Sequence, residues 1–320
     1  MIVKNEAAGI LRAQEILKPI MIHTPLAPSN ILSAEKQGDI YLKLENLQRT
    51  GSFKARGAYY KLASLTDQEK QRGVIACSAG NHAQGVALAA KLLGINARIF
   101  MPTHAPNVKI DATRSYGATV VLAGETFDET KQYTLEAAAL SGEIFISPFD
   151  DLKVIEGQGT IGLELLEDLS EIDNVIVPIG GGGLIAGIAV AIKTFRPEVK
   201  IIGVQTYQVH GMVRSIWQKK LVAKRDSATL ADGCDVALAG ELTYHLLKNR
   251  IDETVLVEEK MIEEAICYLA LKEKVIAEGA GALSTAAILS GTIDHLLKGK
   301  KTAAIVSGGN IDFSLFKEII

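Results

Sequence analysis

A lysine placed behind a glycine and a hydroxyl residue, at the opening of a helix, is a group able to do covalent chemistry. This chain carries one at Lys54, in the run Gly51-Ser52-Phe53-Lys54-Ala55-Arg56-Gly57-Ala58. The upstream run Tyr41-Leu42-Lys43-Leu44-Glu45 predicts a strand, and residues 46–51 a loop. Ser52 is expected to cap the helix, its side-chain oxygen accepting a free backbone N–H. The macrodipole at a helix N-terminus disfavours a cation. That cost argues for a lysine kept neutral, and the neutral amine is the form that makes a Schiff base. Taken alone, a lysine in a first helical turn is ordinarily a solvated surface residue, so other parts of the chain must decide.

Three further stretches have chemistry of their own. Ser78-Ala79-Gly80-Asn81-His82-Ala83-Gln84-Gly85 combines small residues with a helix start. Small residues let backbone approach a ligand, and a helix start offers free N–H groups to an anion such as a carboxylate. A plain tight turn capped by Asn81 is the alternative. Gly180-Gly181-Gly182-Gly183-Leu184-Ile185-Ala186-Gly187 opens a helix with four glycines, a nest of N–H donors suited to phosphate. Residues 181–186 satisfy the dinucleotide pattern GxGxxA, but the next strand ends Val204-Gln205 without the acidic residue that would hold a ribose. No Gly-Lys-Ser/Thr follows, so a P-loop is excluded. In Ser307-Gly308-Gly309-Asn310 a hydroxyl ends a buried strand, where it can donate to a ring nitrogen or cap the next turn.

The elements that must position these groups follow one rhythm: a short apolar strand, a glycine-containing turn, then an alanine- and leucine-rich helix. Strands are predicted over 74–78, 97–101, 118–122, 174–179, 200–205 and 301–306, with helices over 81–93, 108–116 and 184–195. The strands read as nearly continuous apolar runs, which means both faces are covered, as in a parallel sheet flanked by helices. Alternation of this kind argues a doubly wound α/β fold. Ligand sites in such sheets lie beyond the carboxyl ends of strands, where these loops stand. A weak boundary falls near 146–151, between two βα series.

Composition narrows the class. The 320 residues are 48% hydrophobic and 22% charged, ordinary for a soluble globular enzyme. Thirty-four Lys and Arg against 37 Asp and Glu give a net charge of −3, so no basic field points to nucleic acid or a membrane surface. Cys77, Cys234 and Cys267 are far apart and form no CxxC pair, and no HExxH spacing occurs. This fits a reducing cytoplasm without a structural metal. No signal-peptide pattern opens the chain, and no apolar stretch is long enough to span a bilayer.

Taken in order, a lysine near a helix start, an SAGNHAQG loop, a tetraglycine loop and a terminal strand ending in SGGN resemble the fold-type-II pyridoxal-phosphate enzymes. Within them the chain is similar to the serine/threonine dehydratases, above all the short catabolic threonine dehydratases (threonine ammonia-lyases). Further matches are His23-Thr24-Pro25-Leu26, Glu45-Asn46-Leu47-Gln48-Arg49-Thr50, Gly157-Gln158-Gly159-Thr160, Leu230-Ala231-Asp232-Gly233 and Glu278-Gly279-Ala280-Gly281-Ala282, so the likeness runs through nearly the whole chain.

The resemblance implies two domains, each an open, mostly parallel twisted sheet with helices on both faces. Residues 49–149 would form the small one, and residues 1–48 with 150–320 the large one. It implies that Lys54 binds pyridoxal 5'-phosphate as a Schiff base and then removes the substrate Cα proton. Phe53 would pack on the cofactor ring, Asn81 would bond the ring hydroxyl, and Ser307 would meet the pyridine nitrogen. Gly180, Gly181, Gly182 and Gly183, with the N–H of Leu184, would hold the phosphate. Ser78, Ala79, Gly80, Asn81 and His82 would bind the substrate carboxylate. The implied reaction is loss of water from L-threonine, and from L-serine, giving 2-oxobutanoate or pyruvate plus ammonia. A homodimer or homotetramer, a cytoplasmic location and an AMP effector are further family expectations. Serine racemases resemble the chain too, but they carry a serine where Ala79 stands and an acidic metal-site residue where Gln205 stands, so racemisation and that metal site are not expected. A β-replacing synthase of the same fold is the other alternative. The chain ends at Ile320, so feedback through an appended regulatory region is not expected.

Overall fold

The computed structural model describes residues 2–320. Two sheets organise the chain. The larger has six strands in the order β1 (Leu26–Pro28), β2 (Asp39–Leu44), β10 (Lys301–Val306), β7 (Asn174–Pro178), β8 (Lys200–Thr206) and β9 (Glu253–Val257). Only the β1–β2 pair is antiparallel. The smaller has four parallel strands in the order β5 (Thr119–Leu122), β4 (Ala97–Met101), β3 (Val74–Cys77) and β6 (Ile144–Phe145). Every residue of β7 and β3 is buried, as expected of parallel strands covered on both faces. The doubly wound α/β class expected from the strand pattern is therefore the class observed.

Parallel pairing has a consequence for the site. Strands β2, β10, β7 and β8 run in one direction, so the loops after Leu44, Val306, Pro178 and Thr206 leave the sheet at one edge. Core clusters cover both faces of the six-stranded sheet. A third surrounds the four-stranded sheet and also takes in Ala13, Leu17 and Met21 from the N-terminal segment.

Helix Lys54–Ala63 is fixed against helix Leu152–Asp168 by glycines on both sides. A Cβ on Gly57 would lie 2.6 Å from the Val154 carbonyl oxygen, and one on Gly157 2.6 Å from the Gly57 Cα. The contact is close because neither residue has a side chain to hold the backbones apart. Helix Asn81–Leu93 abuts the same region, since a Cβ on Gly85 would lie 3.1 Å from the Lys54 carbonyl carbon.

Beside Lys54, two buried carboxylates clamp Arg56. Its guanidinium donates to Glu45 Oε2 and Oε1, each at 2.8 Å, and to Glu164 Oε1 and Oε2 at 2.5 and 2.9 Å. Lys43 Nζ lies 2.8 Å from the same Glu164 and donates to the Thr24 carbonyl at 2.7 Å. Burial alone would raise the Glu45 carboxyl, but Arg56 outweighs it and holds the group below its ordinary value. Planar, bidentate geometry is what makes an arginine suited to such a position.

Candidate active site

Lys54 is the first residue of its helix, but Ser52 does not cap it. Ser52 forms an antiparallel bridge with Gly308, and among the described residues its buried hydroxyl has no partner. The cap position belongs to Phe53, in helical conformation and without a side-chain cap bond. The physical reason is tertiary: the Phe53 N–H donates to the Ser307 carbonyl at 3.1 Å, which holds the entry to the helix against the end of β10. The reason expected for a neutral Lys54 also changes. Burial is the largest influence, and it lowers the amine to about 8 against the opposing pull of Cys234 and Glu278. Nζ donates to the Pro148 carbonyl at 2.8 Å and lies 5.3 Å from the centre of the Phe53 ring.

The residue after Pro148 connects this amine to the glycine loop. A Cβ on Gly181 would fall 2.3 Å from the Phe149 ring, and one on Gly183 3.0 Å from the Phe149 Cα. Gly182 has φ +99°, in the region that favours glycine, and precedes helix Gly183–Phe195. The Gly181 carbonyl accepts from Thr243 Oγ1 at 2.7 Å, which fixes the loop from behind. Among the described residues, no protein acceptor meets the N–H groups of Gly180, Gly181 or Gly182. The first N–H groups of the helix that follows, Leu184 included, have no intrahelical partner. Gly181 to Leu184 are buried. A buried run of unpaired N–H donors at a helix start, kept free of side chains by the packing of Phe149, is what a phosphate group requires.

Asn81 opens helix Asn81–Leu93 and does not cap it; Gly80 holds the cap position. Its Nδ2 donates to Glu278 Oε1 at 2.5 Å, and its Oδ1 accepts from Asn310 Nδ2 at 2.7 Å. Burial raises Glu278 to about 7, with Asp232 adding to the effect. A Cβ on Gly308 would lie 2.3 Å from Glu278 Oε1, so Asn81, Glu278 and the Ser307-Gly308 turn share one corner. Ser307 is buried, and its Oγ donates to the Ala280 carbonyl at 3.2 Å. Helix Gly279–Leu289 comes this near because Gly281 carries no Cβ, which would sit 2.1 Å from the Gly308 carbonyl oxygen.

The Ser78–Gly80 turn is half-buried, with the Gly80 N–H donating to Ser78 Oγ at 3.2 Å and nothing within 4 Å of where a Gly80 Cβ would be. Ala79 is also half-buried. The His82 ring is already engaged: Nε2 pairs with the Ile146 carbonyl at 3.0 Å, and burial, with Lys54 nearby, lowers the imidazole to about 3. His82 can therefore contribute its backbone N–H at the helix start, with its ring neutral and occupied. Gln205 is likewise committed, donating to the Ile179 carbonyl at 3.2 Å and accepting from the Val213 N–H at 2.9 Å.

Four contributors carried no local sequence signal of their own: the Pro148 carbonyl, the Phe149 ring, Glu278 and Thr243. Glu278 and Asn310 stood in stretches noted for other reasons, and their pairing with Asn81 is visible only in three dimensions.

A half-buried lysine of lowered basicity, a side-chain-free nest of N–H donors and an oriented amide define a site of the kind built around a phosphorylated aldehyde cofactor. The chain matches the family described as pyridoxal-phosphate dependent enzyme over residues 17–308, and it belongs to that family. It is 52% identical over 310 residues to the catabolic L-threonine dehydratase TdcB of Escherichia coli, covering 97% of this chain and 94% of that protein. It is 52% identical over 313 residues to the protein of the same name from Staphylococcus aureus, covering 97% and 90%. Among solved structures, the processed form of threonine deaminase isoform 2 from Solanum lycopersicum superposes with a TM-score of 0.95 at 41% identity, covering 99% of this chain and 92% of that one. Maize serine racemase superposes with a TM-score of 0.92 at 33% identity, covering 97% and 95%. The cofactor is pyridoxal phosphate.

Proposed function

We propose that this protein removes water from L-threonine, and from L-serine, releasing a 2-oxo acid and ammonia. The observation that carries the reading is the pairing of Lys54, its amine lowered to about 8 by burial, with the acceptor-free glycine loop across the Pro148-Phe149 bridge. Likeness to two catabolic threonine dehydratases at 52% identity supports the substrate.

Pyridoxal phosphate, when bound, supplies an electron sink for negative charge developed at the substrate Cα. The protein supplies the rest. Lys54 binds the cofactor covalently and, freed as a neutral amine, takes the proton from Cα; near pH 8 that amine is balanced between accepting and releasing a proton. Gly180, Gly181, Gly182, Gly183 and Leu184 hold the phosphate through backbone N–H groups. Phe53 packs beside the ring, Asn81 bonds the ring hydroxyl, and Ser307 faces the ring nitrogen as a neutral hydroxyl. The turn 78–82 binds the substrate carboxylate through the N–H groups that open helix Asn81–Leu93. Residues 49–149 act as a small domain that closes on the substrate against the rest of the chain.

Family likeness alone supports a homodimer or homotetramer, an AMP response and a cytoplasmic location. Among the described residues no helix is long and apolar enough to cross a membrane. Borohydride reduction followed by peptide mapping tests the covalent residue, and modification anywhere but Lys54 overturns it. Release of 2-oxo acid from L-threonine, L-serine and D-serine, with and without AMP, tests substrate and effector together.

A further inference from the structure

A side-chain amide has one donor end and one acceptor end, and which end faces a ligand decides what it can recognise. The direction of the Asn81 amide is set by a chain of bonds that starts at a backbone carbonyl. The Thr50 carbonyl can only accept, and Asn310 Nδ2 donates to it at 2.7 Å. That fixes the direction of the Asn310 amide. The second N–H of Asn310 Nδ2 then meets Asn81 at 2.7 Å, so the Asn81 atom facing it must be the acceptor, Oδ1. Asn81 Nδ2 is thereby turned toward Glu278 Oε1, 2.5 Å away, and one of its two N–H groups is used there. Among the described residues the other N–H has no protein partner. Because Thr50 sets the order, it holds whether Glu278 is protonated or not.

We propose that Asn310 is a positioning residue that locks the Asn81 amide so that Asn81 offers an N–H, and never its carbonyl oxygen, to the ring hydroxyl of the cofactor. The inference rests on the assignment of Asn81 to that hydroxyl made above. An N–H donor favours the ionised form of the hydroxyl, because a hydrogen bond to a charged form stabilises it. By the same geometry Asn310 spans the Thr50 end of the loop leading to Lys54 and the start of helix Asn81–Leu93, and the Thr50 end serves to anchor the lock. Gly51 leaves space for it: φ is +71°, and a Cβ there would lie 2.4 Å from Asn310 Oδ1.

The test uses the loaded enzyme and two readouts other than turnover: the ratio of its long- to short-wavelength cofactor absorption bands at fixed pH, and the Kd for pyridoxal phosphate by equilibrium dialysis. Thermal melts confirm that each variant folds. N81A is expected to lower the band ratio and weaken binding by roughly three- to tenfold, the size of one lost hydrogen bond. N310A is expected to move both readouts in the same direction, and N310A placed in N81A to add nothing further, since its effect passes through Asn81. N310D keeps the size but presents only acceptors, reverses the lock, and is expected to lower the ratio more than N310A. Where N310A fails to fold, N310D decides. If N81A leaves both readouts unchanged, the ring-hydroxyl assignment falls and this inference with it. If N81A shifts them but the Asn310 variants do not, or if their effects add, the assignment stands and the positioning role of Asn310 is overturned.

Discussion

The Nζ of Lys54 donates to the Pro148 carbonyl across 2.8 Å, so the amine is held by an acceptor that carries no charge. A full carboxylate in that place would keep the lysine protonated. A carbonyl satisfies one N–H and leaves burial free to lower the amine to about 8.

This predicts a pH profile for cofactor capture by the apo-protein. Only the neutral amine attacks an aldehyde, so the rate of absorbance change on mixing with pyridoxal phosphate should rise with pH through about 8 and level off above it. A transition near the ordinary lysine value of 10.5 would contradict the assignment. The same shift has a stability consequence. Between about 8 and 10.5 the unfolded chain carries a proton that the folded one does not, so apo-protein stability rises with pH across that window. Below it the folded state bears the cost of a partly desolvated charge. Lys54→Met should therefore stabilise the apo-protein at pH 7, on the order of 2 kcal/mol, measured by urea denaturation.

Glu278 gives a second, opposite slope. Burial raises its carboxyl to about 7, so between its ordinary 4.5 and about 7 the folded state holds a proton that the unfolded state has lost. Stability falls as pH rises through that window. Glu278→Gln keeps an acceptor for Asn81 and removes the titration, so its denaturation midpoint should change less than that of the parent between pH 5 and pH 8. Because the Glu278 charge supports the protonated form of Lys54, the variant should also move the capture profile to lower pH. A profile that stays in place would separate the two groups.

Local signals sufficed wherever an element is decided by its own residues. Strands β4 and β10 were expected over the residues they occupy, because continuous apolar runs end at Pro102 and Ser307. Helix Asn81–Leu93 was expected within its observed bounds, since Gly94 at φ +66° can close it. Ser52 departs from its cap preference for a long-range reason: its partner, Gly308, sits at the far end of the sequence, and pairing with it overrides that preference. Strand β6 has two residues, too few for any periodicity, and β1 pairs antiparallel in a run that ends at Pro28. The site divides the same way. Lys54 and the four glycines stand out by type and spacing. Glu278 and Asn310 do not, because their meaning lies in bonds to Asn81, 197 and 229 residues away in sequence.

The glycine loop yields a steric prediction. Gly181 lies outside the positive-φ region, and the nearest obstacle to a side chain there is Phe149, whose ring a Cβ would meet at 2.3 Å. Gly181→Ala should displace the loop and weaken pyridoxal phosphate binding by about tenfold or more, as one or two hydrogen bonds to the phosphate are lost. Adding Phe149→Leu should recover part of the affinity by relieving the clash. Failure of the second change to recover any would point away from Phe149 as the obstacle.

Arg56 tests whether the charge clamp matters to the lysine beside it. Glu45 and Glu164 are both held by the one guanidinium, with Lys43 as a second cation on Glu164. Removing it in Arg56→Leu leaves Glu45 buried with no cation in hydrogen-bonding reach, which should cost about 3–5 kcal/mol in denaturation midpoints. Arg56→Lys keeps the charge but has no planar fork, so it can reach one carboxylate and not both. It should fall between parent and Arg56→Leu in stability. The pH response follows from the lowered Glu45: its contribution is present above the ordinary carboxylate value of 4.5 and is lost as pH falls through the folded value. Parent protein should therefore lose stability more steeply than Arg56→Leu as the solution is acidified below pH 4.5. Parallel acid limbs in the two proteins would mean that the clamp carries no net stability, and that Lys54 owes its position to the glycine contacts of its helix instead.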